Sequence, residues 1–481
     1  MKKLLILGVL VGIVAVSCTN DITDYNVDPK RPSEVPAATT FTNAEKNLGD
    51  LVTTMSVGTN VFRLWAQHWT ETTYNDEANY DVIGRDLSAG YWTTIYNNIL
   101  NDLNSSVELI NNAEYTDEQM RTNQLAVIEI VKVYSYQMLV DLNGDVPYSE
   151  ALNINENLFP VYDDAETIYL DLIARVTAAQ QTLSAGGDSF GSADIYYGGD
   201  TALWRKFANS LKLRLGMRLA DSNPSAASTA VSEAFTAGVL TSSDDSAIIM
   251  YEDAAPNTNP LYDTFVLSGR GEDYIAGSTS VDYLLSVNDP RLDDFYDQNL
   301  GDDTYVGGPI GGNNSYPAYT HIKRDLVEEP TATGAILEYY EVEFFLAEAA
   351  ERGFISEVAE SHYDAAITAS ILSYGGTQAE VDAYLAQPDV AYATAAGNYE
   401  QKIGTQKWIA LFNRGFEAWT EWRRLDYPNF LVLSDQSGLP VPTRVFYPTT
   451  EPAVNGANYD AAVAKQGGED DLYGKIFWDV Q

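Results

Sequence analysis

Apolar side chains recur every three or four positions along most of this chain, the spacing that buries one face of an α-helix. The pattern is clear in residues 88–111, where Ile95, Ile99, Leu103 and Val107 stand one turn apart. The same spacing predicts further helices at 117–142, 163–183, 201–220, 337–352 and 357–374, and a final helix near 404–425. Glycine-containing segments separate them, so the pattern indicates helices arranged in pairs.

These helix pairs have about the size of tetratricopeptide repeats, although the sequence signature of those repeats is absent. The helical pattern fades between about 240 and 335, where prolines and a stretch rich in glycine and tyrosine, 302–322, interrupt it. The sequence therefore predicts an all-α fold: tetratricopeptide-like helix pairs form a scaffold that carries a long irregular, loop-rich insertion. Nothing marks a second folding unit, so 37–481 is interpreted as a single α-helical domain.

The first residues have the pattern of an export signal. Two lysines precede an apolar run, 4–16, which ends in small residues before Cys18, the only cysteine of the chain. About 13 apolar residues are too few for a helix that spans a bilayer. We expect residues 1–17 to be a lipoprotein signal peptide that is removed, Cys18 to carry a diacylglyceryl and an acyl chain, and 18–36 to be a lipidated tether. The alternative is an ordinary secretory signal with a coincidental cysteine.

The charge balance limits the possible partners. Lys and Arg number 28 against 69 Asp and Glu, a formal net charge of −41. Such a field repels the phosphates of nucleic acids, which excludes that class of ligand. It also repels anionic lipid surfaces, so membrane attachment has to be covalent.

Candidate catalytic residues have simpler structural interpretations. Glu417 and Glu421 lie one helical turn apart and resemble an acid/base pair, but Arg414, Arg423 and Arg424 are close enough in sequence to neutralise them. A structural ion-pair network is therefore expected, and Trp408, Phe412, Trp419 and Trp422 beside it are expected to be core residues. The three histidines are scattered without zinc-ligand spacing. No catalytic residue is predicted.

One acidic segment could hold a metal ion. Its oxygen ligands would be Asp297, Asn299, Asp302 and Asp303. Extracytoplasmic calcium reaches sites of millimolar affinity, so structural calcium is a hypothesis here, and a solvated acidic turn is the alternative. No other cofactor is predicted.

Aromatic residues outside the predicted helices are candidates for a ligand surface. They and a neighbouring amide are Trp69, Tyr74, Asn75, Tyr80, Tyr305, Tyr316 and Tyr319. Sugar rings present apolar C–H faces edged by hydroxyls, which exposed aromatic planes next to amides and carboxylates suit; an extended peptide could use the same surface. The alternative is that these side chains attach long loops to the scaffold.

Several segments together resemble the SusD/RagB family of nutrient-binding outer-membrane lipoproteins of Bacteroidota. They are the signal with Cys18, LNGDVPYSEAL at 142–152, LWRKFANSLKLRLGMRLA at 203–220, QKWIALFNRGFEAWTEWRRLDYP at 406–428, RVFYPTTEPAVNGANYDAAV from Arg444 and the final KIFWD. The resemblance implies a tetratricopeptide-like all-α protein that caps a TonB-dependent, SusC-like transporter and delivers oligosaccharide or peptide to it. The aromatic sugar platform of some members has no residue-by-residue match here.

The expected function is therefore capture of an oligosaccharide by a lipoprotein on the outside of the outer membrane, without catalysis. Two alternatives stay open: a peptide-binding member of the same family, and a glycoside hydrolase.

Overall fold

A computed structural model describes residues 35–184 and 186–480. The chain divides into two units, Met1–Pro36 and Ala37–Gln481, and every element below lies in the second. Cys18, the predicted signal peptide and the predicted tether up to residue 34 lie outside the described residues, so those predictions stay predictions. None of the described helices is both long and apolar enough to cross a membrane.

The first half of the domain is mainly helical. Its elements are α1 (Ala37–Thr53), α2 (Phe62–Trp65), β1 (Trp69–Glu71), α3 (Leu87–Trp92), a π-helical segment (Thr93–Leu100), α4 (Asn101–Asn112), α5 (Glu118–Asn143), β2 (Val146–Pro147), β3 (Tyr162–Asp163), α6 (Ala165–Thr182), α7 (Thr201–Arg218), α8 (Pro224–Ala237) and β4 (Ala247–Ile249).

The second half begins with short elements and ends in longer helices. They are α9 (Pro260–Tyr262), a π-helical segment (Asp263–Leu267), β5 (Tyr274–Ala276), α10 (Ser278–Ser286), α11 (Leu292–Phe295), α12 (Arg324–Val327), β6 (Gly334–Leu337), α13 (Tyr339–Glu351), α14 (Ala359–Ser373), α15 (Gln378–Leu385), α16 (Tyr399–Ala410), α17 (Gly415–Leu425), α18 (Glu451–Val454) and α19 (Gly456–Lys465).

Successive helices pack as pairs, α5 on α6, α7 on α8 and α13 on α14, which confirms the predicted all-α, tetratricopeptide-like scaffold. Local signals explain where several of them begin and end. Asp117 accepts hydrogen bonds from the first turn of α5, and Asp200 does the same for α7. Gly144, with φ 90°, ends α5 in a conformation that glycine adopts without strain.

The predicted single helix at 404–425 is wrong, because the chain breaks it into α16 and α17. Gly415, at the start of α17, packs directly on the backbone of α2: a Cβ there would lie 2.4 Å from the amide nitrogen of Arg63. The Arg414 guanidinium is buried and donates to the Glu341 carboxylate and to the Ile336 carbonyl. These contacts fix a turn at 411–414 that helical periodicity does not indicate.

The insertion is irregular, as predicted, and its short strands join it to the scaffold. Strand β5 pairs antiparallel with β1, with Trp69 opposite Ala276 and Glu71 opposite Tyr274. Strand β6 pairs with β4, and β2 with β3. The β1–β5 pair therefore brings the insertion beside the segment that follows β1.

Candidate functional site

Three loops meet at one surface of the domain, next to the β1–β5 pair. The segment after β1 is tied to the segment before β5 by Thr72 N, which donates to Asp273 O at 2.9 Å. The glycine-rich loop joins them, because Asn75 Nδ2 donates to Gly312 O at 3.0 Å and Asn314 Nδ2 to Glu71 O at 2.8 Å. We call this surface, formed by residues 72–75, 270–273 and 314–321, the loop face.

Tyr74 is the most exposed aromatic side chain of the loop face, with 69% of its surface accessible. The Arg270 guanidinium lies 5.7 Å from its ring centroid, and Asp273 holds that guanidinium at 2.8 Å. The backbone of Tyr74 has φ 53°, a left-handed conformation that costs energy for a residue with a Cβ. Residues with strained backbones persist only where the surrounding structure holds them, and they are often found at functional sites.

Tyr316 and His321 form a second aromatic feature of the loop face. Their rings stack with centroids 3.8 Å apart and planes inclined by 15°. Both side chains are half-buried, and burial lowers the pKa of His321, which favours its neutral form. Glu272 is among the charges that act on both groups, so the acidic segment before β5 lies near this stack.

The structure separates the predicted ligand residues into two groups. Tyr74 is exposed, and Asn75, Tyr316 and Tyr319 are partly exposed. The expectation of an exposed ring is wrong for the other three, Trp69, Tyr80 and Tyr305.

Each of these three rings is buried for a specific reason. Trp69 is 0% exposed because β1 carries it inward, where its ring packs against Phe265, Tyr274 and Phe412. The Tyr80 hydroxyl accepts a hydrogen bond from Gln67 inside the protein, and the Tyr305 hydroxyl donates to the Asp293 carboxylate. These side chains attach loops to the scaffold, as the alternative interpretation proposed.

The sequence-based search missed Arg270, His321 and two hollows that border the loop face. One hollow, of about 320 Å³, is lined by Arg270 and Tyr274 together with residues after α1 and around the second π-helical segment. The other, of about 560 Å³, includes Asn75, Asp76 and Tyr80. A single sequence gives no sign of either, because their walls come from segments about 200 to 400 residues apart.

The calcium hypothesis for Asp297, Asn299, Asp302 and Asp303 stays a prediction. Within the described parts of the chain, no group of three or more His, Cys, Asp or Glu side chains could hold a metal ion. Asp297 Oδ2 lies 3.3 Å from Arg324 Nε, and the Asn299 side chain accepts from His321 N and donates to Tyr319 O, both at 2.9 Å. The Asn299 side chain therefore holds the loop, whereas Asp297 Oδ2 accepts no hydrogen bond from a described residue, and Asp302 and Asp303 are exposed.

Glu417 and Glu421 lie in the core and form an ion-pair network, as predicted. Glu417 pairs with Arg214 and Arg218, whereas Glu421 pairs with Lys407 at 2.8 Å and with Arg424 at 2.7 Å. Burial alone would raise the pKa of Glu417, but the surrounding arginines outweigh it and hold that pKa below its usual value. The expected partner Arg423 instead places its guanidinium 3.4 Å from the Trp419 ring centroid.

Comparisons with known proteins agree with this architecture. The model of a SusD-like family, described as starch-binding and associating with the outer membrane, matches residues 29–448. A solved structure of a chitin-binding protein is 29% identical, with a TM-score of 0.80, covering 92% of this chain and 100% of its own.

Two other solved structures share the fold at 24% identity. A chitin-binding SusD homologue from Flavobacterium johnsoniae has a TM-score of 0.77 and covers 92% of this chain and 99% of its own. A SusD homologue from Bacteroides uniformis has a TM-score of 0.76 with the same coverage. None of the curated protein sequences matches the chain.

Proposed function

We propose a function from one premise: this chain belongs to the SusD-like family, described as starch-binding and associating with the outer membrane. On that premise, it binds an oligosaccharide on the loop face. The observation that carries the proposal is Tyr74, an exposed aromatic ring beside an arginine, on a backbone held in the left-handed conformation.

The chemistry of the loop face suits a sugar. The apolar plane of Tyr74 can cover the C–H face of a pyranose ring, and Arg270 places donors at its edge for the hydroxyls. Asn75 Nδ2 is occupied by the carbonyls of Gly311 and Gly312, so Asn75 offers its Oδ1 as an acceptor. Because hydrogen bonds already hold Asn75 and Thr72, little conformational entropy is lost when a ligand binds there. The Tyr316 and His321 stack offers a second flat surface for a neighbouring sugar unit.

A panel of soluble oligosaccharides tests this proposal. We would titrate the purified protein with oligosaccharides of chitin, starch and other neutral glycans, and with peptides of similar length. The heat of binding and the release of shortened products would be measured in the same series. Chitin oligosaccharides are titrated first because two of the similar structures are named as chitin-binding. Saturable binding of a glycan without product release is the expected result; binding of peptides alone, or release of shortened sugars, contradicts the proposal.

The proposed partner is a TonB-dependent, SusC-like transporter, to which the bound sugar is delivered from the outer face of the outer membrane. An exposed apolar patch supports docking to a protein: Ile154, Leu158, Phe159 and Val161 in the loop before β3, with Val454 of α18. The loop and the region after α18 are joined there, because the amides of Asn455 and Asn458 donate to the carbonyls of Pro160 and Phe159. Contiguous exposed apolar side chains commonly mark protein interfaces.

Two experiments test the partner and the anchor. A large β-barrel transporter should copurify with the protein from native membranes in mild detergent, and Phe159→Ser should reduce its recovery without changing glycan binding. Recovery of the protein alone contradicts the delivery proposal. Cys18→Ser should release the protein from the outer-membrane fraction, and unchanged fractionation contradicts lipidation at that residue.

A further inference from the structure

The hollow of about 560 Å³ that includes Asn75 has the form of a binding cleft. Its volume lies within the range of small-molecule sites in proteins. One part of its lining is apolar, with Ile83, Leu439 and Leu472 and the exposed ring of Tyr473. We call it the Asp76 cleft, after one of the two carboxylates that line it; the other is Asp81.

The two carboxylates of the Asp76 cleft have no direct hydrogen-bond or ion-pair partner among the residues that the structure describes, and both residues are exposed. The described lining contains no lysine or arginine. The nearby cation Arg85 pairs directly with Glu77 at 2.6 Å and acts on Asp76 only at longer range.

Hydrogen bonds hold the wall of the cleft in place before any ligand binds. Asn79 Nδ2 donates to Gly311 O at 2.9 Å, and Asn79 Oδ1 accepts from Ser437 N at 3.1 Å. Gly311 has φ 65°, and a Cβ there would lie 2.5 Å from Ser434 Oγ, so the loops meet too closely for a larger residue. On another part of the lining, the Tyr80 hydroxyl accepts from Gln67 Nε2 at 3.0 Å, and its own proton has no acceptor among the described residues.

We propose that the Asp76 cleft binds a sugar unit with a free, protonated amino group, within a glycan whose neighbouring units lie on Tyr74. The inference rests on the proposed function and specifies its substrate class. The two unpaired carboxylates provide charge complementarity for an ammonium group, and the apolar lining covers the C–H face of the ring. Asn75 belongs both to the cleft and to the loop face, so one glycan chain can occupy both. The same charges disfavour glycans that carry carboxylates or sulfates.

The test compares two oligosaccharides of equal length, one of N-acetylglucosamine and one of glucosamine. At about pH 6, where primary amines are protonated, the wild-type protein should bind the glucosamine oligomer about fivefold to tenfold more tightly in low salt. High ionic strength should remove most of this preference. The double variant Asp76→Asn/Asp81→Asn should lose the preference and keep its affinity for the N-acetylated oligomer.

A matched control separates the cleft from the overall negative field. Asp188→Asn/Asp244→Asn removes the same charge from exposed residues outside the cleft and should keep the preference. A preference that is absent in the wild type, or that is lost equally in both double variants, overturns the inference but leaves glycan binding at Tyr74 intact. Binding of oligolysine in place of the glucosamine oligomer overturns the assignment to a sugar.

Discussion

Loss of the Glu417 carboxylate should clearly lower the free energy of unfolding of this protein. It lies in α17 and pairs with Arg214 and Arg218, one turn apart in α7. Arg218 also binds Asp141 of α5, and Arg214 binds Glu341 of α13 at 2.7 Å. All five side chains are buried. One carboxylate therefore links ion pairs that join four helices, and Glu417→Gln removes its charge while keeping its shape.

The structure sets the expected magnitude. Removing one partner of a buried ion pair costs about 3–5 kcal/mol, because a buried charge is left uncompensated. Here Arg214 keeps Glu341 and Arg218 keeps Asp141, so neither guanidinium loses every carboxylate. We therefore expect the lower end of that range, about 3 kcal/mol. Glu118→Gln is the control: its carboxylate is 77% exposed and lies 3.8 Å from the partly exposed guanidinium of Arg121, and its loss should cost less than about 1 kcal/mol.

Equilibrium unfolding in urea at neutral pH, followed by circular dichroism, measures both variants. The pKa of Glu417 is held below its usual value, so its stabilisation is present above the unfolded pKa of about 4.3 and is lost as pH falls through the folded pKa. The difference between wild type and Glu417→Gln should shrink as the medium becomes more acidic. Equal stability losses for both variants at neutral pH would refute the assigned role of the network.

Three further variants and one control variant test the packing and the protonation of the core. Gly415→Ala should destabilise the protein by about 1–3 kcal/mol, because its Cβ would overlap the α2 backbone. Gly456→Ala is the control and should change stability little, because the space around Gly456 is open. Thermal unfolding compares the two variants. Trp69→Ala should cost about 3–5 kcal/mol in urea unfolding, and a small loss would contradict its burial. Burial lowers the pKa of His68 to about 3, so stability should fall as pH drops below about 6.5. His68→Gln should remove about 1 kcal/mol of that decline between pH values near 7.5 and 5.5, and an unchanged slope would show that His68 is not the cause.

The helical scaffold could be predicted because its signals are local. Periodic apolar residues, the caps Asp117 and Asp200 and the terminating Gly144 all act within a few residues of the helix they define. The break between α16 and α17 could not, because its cause is contact with a helix some 350 residues earlier.

The loop face shows the same division between local and distant causes. Trp69 and Tyr74 stand five residues apart in one polar stretch, yet the first is buried and the second exposed. Pairing of β1 with β5 decides this difference, and the partner strand lies about 200 residues away. Arg270 comes to Tyr74 by the same pairing, so no local pattern identifies it as part of the site.

The most direct test of glycan capture on the loop face is a calorimetric titration of Tyr74→Ala with a chitin oligosaccharide, beside wild type and Tyr399→Ala. Tyr399 is a fitting control because it also lies against an arginine, Arg352, at 5.8 Å, but on α16. We predict that Tyr74→Ala weakens binding by about 1–3 kcal/mol with an unchanged unfolding midpoint, while Tyr399→Ala binds as wild type does. Wild-type affinity in Tyr74→Ala would contradict the assignment of the loop face as the glycan site.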